Sequence, residues 1–233
     1  MKILNIFYQL KNFLFPASCA LCGRELDFAA EIRLGLCQEC SSGITLEEGK
    51  KCNLCGKPLV SEIETCLPCR NSEDRSFLRL WLLFPYTGKY RKLLTEYKFK
   101  KNLSLAGLFA EKIKEVIKNE PLLKDAVFVP VPPRPGKIKE AGWDQVEYLI
   151  KKLGKSLPVS RCLKRRKSKV QKTLSRKDRM ENLKGRIYIN GAPPKTALII
   201  DDVITTGSTI EVCAKTLMEA GAQKVYGLCL FYD

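Results

Sequence analysis

The chain has 233 residues, enough for one large domain or for a medium one with a small module attached. Its apolar fraction of 45% is ordinary for a globular protein, while its formal net charge of +16 points to anionic partners: nucleic acid, nucleotides or a membrane surface. It contains no histidine, which excludes a Ser-His-Asp hydrolase and any histidine metal ligand.

Residues 1–15 read as a short amphipathic helix, with Ile3, Leu4, Ile6, Phe7, Leu10, Phe13 and Leu14 as its apolar positions. A signal peptide is the competing reading. Gln9, Lys11 and Asn12 interrupt the apolar run, so the helix is expected to pack on the body of the protein. No run of about eighteen apolar residues exists, so no transmembrane helix is expected. With no export signal, the expected location is cytoplasmic.

Residues 16–72 carry eight of the eleven cysteines as four Cys-x-x-Cys pairs: Cys19/Cys22, Cys37/Cys40, Cys52/Cys55 and Cys66/Cys69. Each pair can form a knuckle that directs two sulfurs at one metal, and two knuckles complete a tetrahedral all-thiolate zinc site. Gly23 and Gly56 follow the second cysteine of their pairs, where a tight turn is required. There is an internal repeat: Cys-Ala-Leu-Cys-Gly-Arg-Glu-Leu at 19–26 echoes Cys-Asn-Leu-Cys-Gly-Lys-Pro-Leu at 52–59. Tandem units argue for two structural Zn²⁺, each closed by sequential pairs, over a cross-braced arrangement. Disulfides would need an oxidising compartment, which nothing in the sequence supports. Apolar residues are few here, so the metal is expected to supply most of the module's folding energy. Cys162, Cys213 and Cys229 are isolated and read as core residues.

A polar linker at 71–75 leads to the large domain, residues 76–233. An apolar run from Phe77 to Tyr86 begins it, and helical spacing follows from Tyr90 to Phe109 and on to Ile117, with a basic face. Asp125 to Pro132 reads as a strand ending in prolines. A basic loop with Arg134, Lys137 and Lys139 comes next, and Gly142-Trp143-Asp144-Gln145 opens a helix running to Leu153. Further strands are expected near 157–163, 186–190, 196–201 and 224–231. Alternation of helices with strands indicates an α/β domain with a mostly parallel sheet. Between Arg161 and Arg186 lie twelve basic and two acidic residues. This segment is expected to project from the same sheet as a mobile basic flap over a polyanionic ligand.

The stretch from Ala197 to Ile210 carries the chemistry. Leu198, Ile199 and Ile200 form a buried parallel strand, expected to end at Asp201 and Asp202. Thr205-Thr206-Gly207-Ser208-Thr209 then makes a hydroxyl-rich turn into a helix with Val212, Leu217 and Met218 as apolar positions and Gly221 as its stop. Ligands of parallel sheets sit off the carboxyl ends of the strands, and a helix N-terminus favours a phosphate. Adjacent carboxylates suit the two hydroxyls of a ribose or a divalent cation. Together these describe a ribose 5-phosphate site.

The stretch resembles the signature of the type I phosphoribosyltransferases, which bind phosphoribosyl pyrophosphate (PRPP). That resemblance implies their fold, a mostly parallel sheet flanked by helices, following the small zinc-binding module. It implies PRPP binding, with Mg²⁺, by Asp201, Asp202, Thr205, Thr206, Gly207, Ser208 and Thr209. The architecture also resembles the ComF family, which joins a cysteine-rich zinc module to such a domain. Val129-Pro130-Val131-Pro132 and Gly142-Trp143-Asp144-Gln145 are similar to that family's Pro-Val-Pro strand and Gly-Phe-Asn-Gln helix start. Gln171, Leu174, Arg179 and Asn182 reproduce the spacing of its Gln-x-x-Leu…Arg-x-x-Asn loop. Trp143 and Asp144 depart from the pattern, as does Ser168, and an Asp144 carboxylate aimed into a pyrophosphate pocket would oppose anion binding.

For pyrophosphate and flap contacts the candidates are Arg134, Lys137, Arg165, Arg166, Gln171 and Arg179; no catalytic residue is identified. The family resemblance implies a role in natural competence, in uptake or recombination of incoming single-stranded DNA, beside a competence helicase or another DNA-processing protein. The basic surface is expected to bind single strands, with Tyr97 and Phe99 as stacking aromatics. Transfer of the phosphoribosyl group from PRPP to an acceptor is the alternative.

Overall fold

In a computed structural model of the chain, residues 16–61, 63–71, 75–154, 156–166 and 185–233 are described. The N-terminal amphipathic segment, Gln171, Leu174, Arg179, Asn182 and most of the basic segment lie outside them. The cysteine-rich part holds three short helices, α1 (Ala29–Leu34), α2 (Gln38–Ser42) and α3 (Leu67–Arg70). The body runs β1 (Arg79–Pro85), α4 (Gly88–Lys98), α5 (Leu105–Asn119), β2 (Val127–Pro130), α6 (Lys137–Ala141) and α7 (Gln145–Leu153). It continues with β3 (Leu163–Arg165), β4 (Ile187–Ile189), β5 (Thr196–Ile204), α8 (Ser208–Glu219) and β6 (Lys224–Tyr232). No helix among the described residues is long and apolar enough to cross a membrane.

The expected fold class is observed. Four strands form an all-parallel sheet in the order β1-β6-β5-β2. The central strands are apolar on both faces, because helices cover both. Leu198 and Ile200 face one core with α4, α5 and α7, while Ala197 and Ile199 face another with α8. This alternation decides where the acids go: residues 201 and 202 leave β5 on opposite faces.

Three expectations change. The helical run from Tyr90 is two helices, broken between Lys98 and Leu105, where Lys101 adopts φ 56°. Strand β5 does not stop at the paired acids but continues to Ile204, paired with β6 as far as Tyr232. The described ends of the basic segment, residues 161–166 and 185–186, do not lie in the parallel sheet: they run into a separate antiparallel ribbon in which Leu163 pairs with Ile189 and Arg165 with Ile187, and the flap between them lies outside the described residues. On α8, Val212 and Leu217 are buried as expected, whereas Met218 is 42% exposed.

The cysteine-rich part is not a satellite. Leu26, Leu36 and Ile44 are buried in the same core as Leu93, Phe109 and Phe231. Helix α4 also grips this part by its backbone: Lys92 Nζ donates to Leu21 O at 2.7 Å, Tyr90 Oη donates to Thr45 O at 3.1 Å, and Lys89 donates to Gly43 O. Beyond it, Leu80 N on the free edge of β1 donates to Leu54 O at 2.8 Å, which covers that edge. Apolar burial therefore adds to what metal contributes to folding this module.

Candidate functional site

The thiols of Cys19, Cys22, Cys37 and Cys40 lie within 4.8 Å of one another, as do those of Cys52, Cys55, Cys66 and Cys69. Pairing is therefore sequential, as the tandem repeat indicates. The two knuckles repeat bond for bond. Cys19 N donates to Arg24 O at 2.7 Å and Gly23 N to Cys19 O at 2.9 Å; Cys52 N donates to Lys57 O at 2.8 Å and Gly56 N to Cys52 O at 2.9 Å. A zinc–sulfur bond of about 2.3 Å sets the edge of an S₄ tetrahedron at about 3.8 Å. The Cys22–Cys37 and Cys55–Cys66 sulfur separations are 3.8 and 3.6 Å. Burial pushes the Cys19 and Cys52 thiols up, but backbone amides that bond their sulfurs outweigh it and hold both at about 6, the direction a metal thiolate needs. Donor set and spacing fit structural zinc at both clusters.

The second centre is a cleft of about 470 Å³ off the carboxyl ends of β2 and β5. Strand β2 pairs with β5 only as far as Pro130, opposite Ile200. Asp201 and Asp202 thus stand past the end of β2, with their strand still held by β6 on the other side. That is why a continuing strand can present two carboxylates to a ligand. Lys98, Phe99, Pro132, Arg134, Lys137, Gln145, Arg165 and Thr209 complete most of the wall.

The two acids have unlike surroundings. Asp202 is buried, its Oδ2 2.7 Å from Lys98 Nζ and accepting from Gln145 Nε2. Burial pushes its carboxyl up, but the Lys98 charge and the hydrogen bonds from Lys98 and Gln145 outweigh this and hold it below the ordinary aspartate range. Asp201 is half-buried on the other face, and its Oδ1 accepts from Asp202 N at 2.9 Å. Burial first, and the neighbouring Asp202 charge second, push its carboxyl well above the ordinary range. One acid is thus kept charged and its neighbour favours its proton.

Downstream, Gly207 takes φ 78° and opens α8 with no side-chain cap on the helix. Thr206 Oγ1 lies 2.8 Å from Ser208 Oγ and accepts weakly from Ser208 N at 3.4 Å. Ser208 is buried, Thr205 exposed, and Thr209 is the turn residue that lines the cleft. A helix start without a side-chain cap, beside hydroxyls, is suited to an anion.

The basic candidates divide. Arg134 lines the cleft but is held by Glu140, and Lys137 lies 2.6 Å from Asp144 Oδ2. Asp144 does line the cleft, and its charge is engaged there: its Oδ1 caps α7 by accepting from Val146 N and Glu147 N at 3.0 Å, and Lys137 offsets its charge. Arg165 reaches the cleft from β3, and its buried Nε has no partner among the described residues. Arg166 sits outside, its guanidinium 4.9 Å from the Tyr188 ring centre. Tyr97 is no stacking surface: it is fully buried, and its hydroxyl donates to Gln145 O at 2.6 Å. Lys98, Gln145 and Glu140 were not among the ribose, phosphate or pyrophosphate candidates read from the sequence. Gln145 had a signal, its place in the Gly-Trp-Asp-Gln pattern; Lys98 had none beyond being one lysine in a basic helix.

Residues 10–70 match the model of the double zinc ribbon domain. The chain is 29% identical to competence protein ComFC of Streptococcus pneumoniae over 89% of its own length and 96% of that protein's. The chain is thus similar to ComF-type competence proteins along most of its length. It is 27% identical to competence protein F of Haemophilus influenzae, covering 93% and 96% of the two chains. A DNA utilization protein of Escherichia coli is 26% identical over 92% of this chain and 96% of its own. A phosphoribosylpyrophosphate synthetase of Mycobacterium smegmatis aligns in structure with TM-score 0.32 and 22% identity, over 53% of this chain and 33% of that one.

Proposed function

We propose that this ComF-type homologue acts in the handling of incoming DNA, as its competence relatives are named for, and that its cleft binds PRPP or a related phosphoribosyl ligand with Mg²⁺. The observation that carries the ligand reading is the carboxylate pair past the end of β2, beside an uncapped helix start. Carboxylates accept from a sugar diol, while the α8 turn accepts its 5′-phosphate. Single-stranded DNA is the second partner in this reading, supported by the +16 charge, by Arg165 on the cleft wall and by exposed Arg166 next to it in the chain. Transfer to an acceptor is the competing reading. Arg165 favours it, because a buried guanidinium edge without a partner would neutralise a departing pyrophosphate.

Calorimetry with PRPP and Mg²⁺ tests the ligand. Replacing Asp201 and Asp202 together by Ala should weaken binding at least about tenfold, since each hydrogen bond to a charged group contributes roughly 1.5–3 kcal/mol. Unchanged affinity in the double variant would refute the assignment. Consumption of labelled PRPP with a nucleobase would establish the transferase reading.

A further inference from the structure

The cleft has an order. Asp202 faces α4 and α7, where Lys98 grips it, and the next residue of the chain, Phe99, lines the same cleft. Asp201 faces the opposite side, where Arg165 and the start of α8 lie. Phe99 thus belongs to the Asp202 side, where Lys98 is engaged by that carboxylate, while Arg165 and the start of α8 belong to the Asp201 side. Phe99 is 69% exposed, an unusual state for a phenylalanine on a cleft wall. Pro132, Pro133 and Val131 supply apolar surface in the same cleft. Base, sugar and phosphate follow one another in this order in a nucleotide.

The path does not end at Arg165. The next residue, Arg166, is exposed and rests on Tyr188, itself 37% exposed, on the outer side of the ribbon. A cation with an aromatic face beside it is the chemistry that holds the next nucleotide of a single strand. The carboxylates then set which nucleotide of the strand fits. An internal nucleotide of a DNA strand has no free sugar hydroxyl, and its 3′-phosphate would be driven against the acids. A 3′-terminal nucleotide offers a free hydroxyl to the acids and its 5′-phosphate to the anion side.

We infer that the cleft captures the 3′-terminal nucleotide of a single strand, with the base on Phe99, the terminal hydroxyl on Asp201 and Asp202, and the strand leaving over Arg165 and Arg166. This deepens the proposed function and rests on its assignment of the cleft.

The test uses the full chain with zinc and a 5′-labelled oligonucleotide of about twelve nucleotides, within the span single-strand sites cover. Four 3′ ends are compared: ribonucleotide, deoxynucleotide, dideoxynucleotide and 3′-phosphate. Affinity should fall in that order, and the 3′-phosphate strand should bind at least about tenfold more weakly than the 3′-hydroxyl strand. PRPP should compete. Phe99→Ala and Phe99→Leu should each weaken the 3′-hydroxyl strand about tenfold, and Phe99→Trp should retain it, with zinc content and thermal midpoint reporting intact folding. Indifference to the 3′ end overturns the inference, as does a Phe99→Leu variant that binds like the parent. If PRPP fails to bind in calorimetry, the phosphoribosyl reading falls, and the end-group series still decides this one.

Discussion

Asp201 and Asp202 are neighbours with opposite energetic signs. The folded state holds the Asp201 proton more tightly than the unfolded chain does, so its contribution to stability declines as pH rises from the ordinary carboxylate range through its raised value. Asp202 is held below that range, so its contribution is present above about pH 4 and is lost as pH falls through its lowered value. Asp201→Asn should therefore raise the thermal midpoint at neutral pH, and the gain should fade towards pH 4. Asp202→Asn should lower it by roughly 5 °C, since it loses a charge-assisted contact with Lys98. Scanning calorimetry across pH checks both; the same sign for the two variants would contradict the geometry. The sequence announced this pair, because no ordinary strand end needs two adjacent carboxylates. It did not disclose that the pair is unequal, since the inequality comes from Lys98, over a hundred positions away and without a local pattern.

The repeat was legible down to its knuckle glycines, yet its two copies are loaded differently. Gly23 and Gly56 share a left-handed backbone, at φ 79° and 72°. A Cβ at Gly23 meets nothing within 4 Å, whereas one at Gly56 would stand 2.4 Å from Leu80 O. Gly23→Ala should cost about 1 kcal/mol of backbone strain, and Gly56→Ala roughly 3 kcal/mol or more, because β1 cannot withdraw from the sheet. Urea titration of the zinc-loaded variants distinguishes them, and equal costs would mean the second ribbon does not press on β1. Elements with period-2 or period-3.6 patterns were readable from the sequence. Boundaries set by a partner were not: β5 outruns its apolar stretch because β6 holds it to Ile204, and the helical run from Tyr90 breaks where Lys101 turns left-handed.

For the whole molecule, the expected content is two Zn²⁺ per chain, checked by elemental analysis of reduced, unchelated protein. Because Leu36 and Ile44 share a core with Leu93 and Phe109, removing the metal should destabilise the body along with the ribbons. Far-ultraviolet dichroism during chelation should show one cooperative loss of α/β signal, and a body that keeps its midpoint after chelation would show the two parts to be independent. Composition hid this coupling: residues 16–72 look like a polar, metal-held appendage when counted alone, and their few apolar side chains matter because of where they point. The grip of α4 on the carbonyls of Leu21, Gly43 and Thr45 carries a consequence for how such chains can be recombined. A cassette is exchangeable when cutting it out leaves two finished surfaces. Severed at the linker, this body would keep a greasy scar where Leu26, Leu36 and Ile44 had been, with lysines and a tyrosine reaching for carbonyls that had left. Transplanting the cysteine-rich part without the parallel sheet should therefore leave both pieces unfinished.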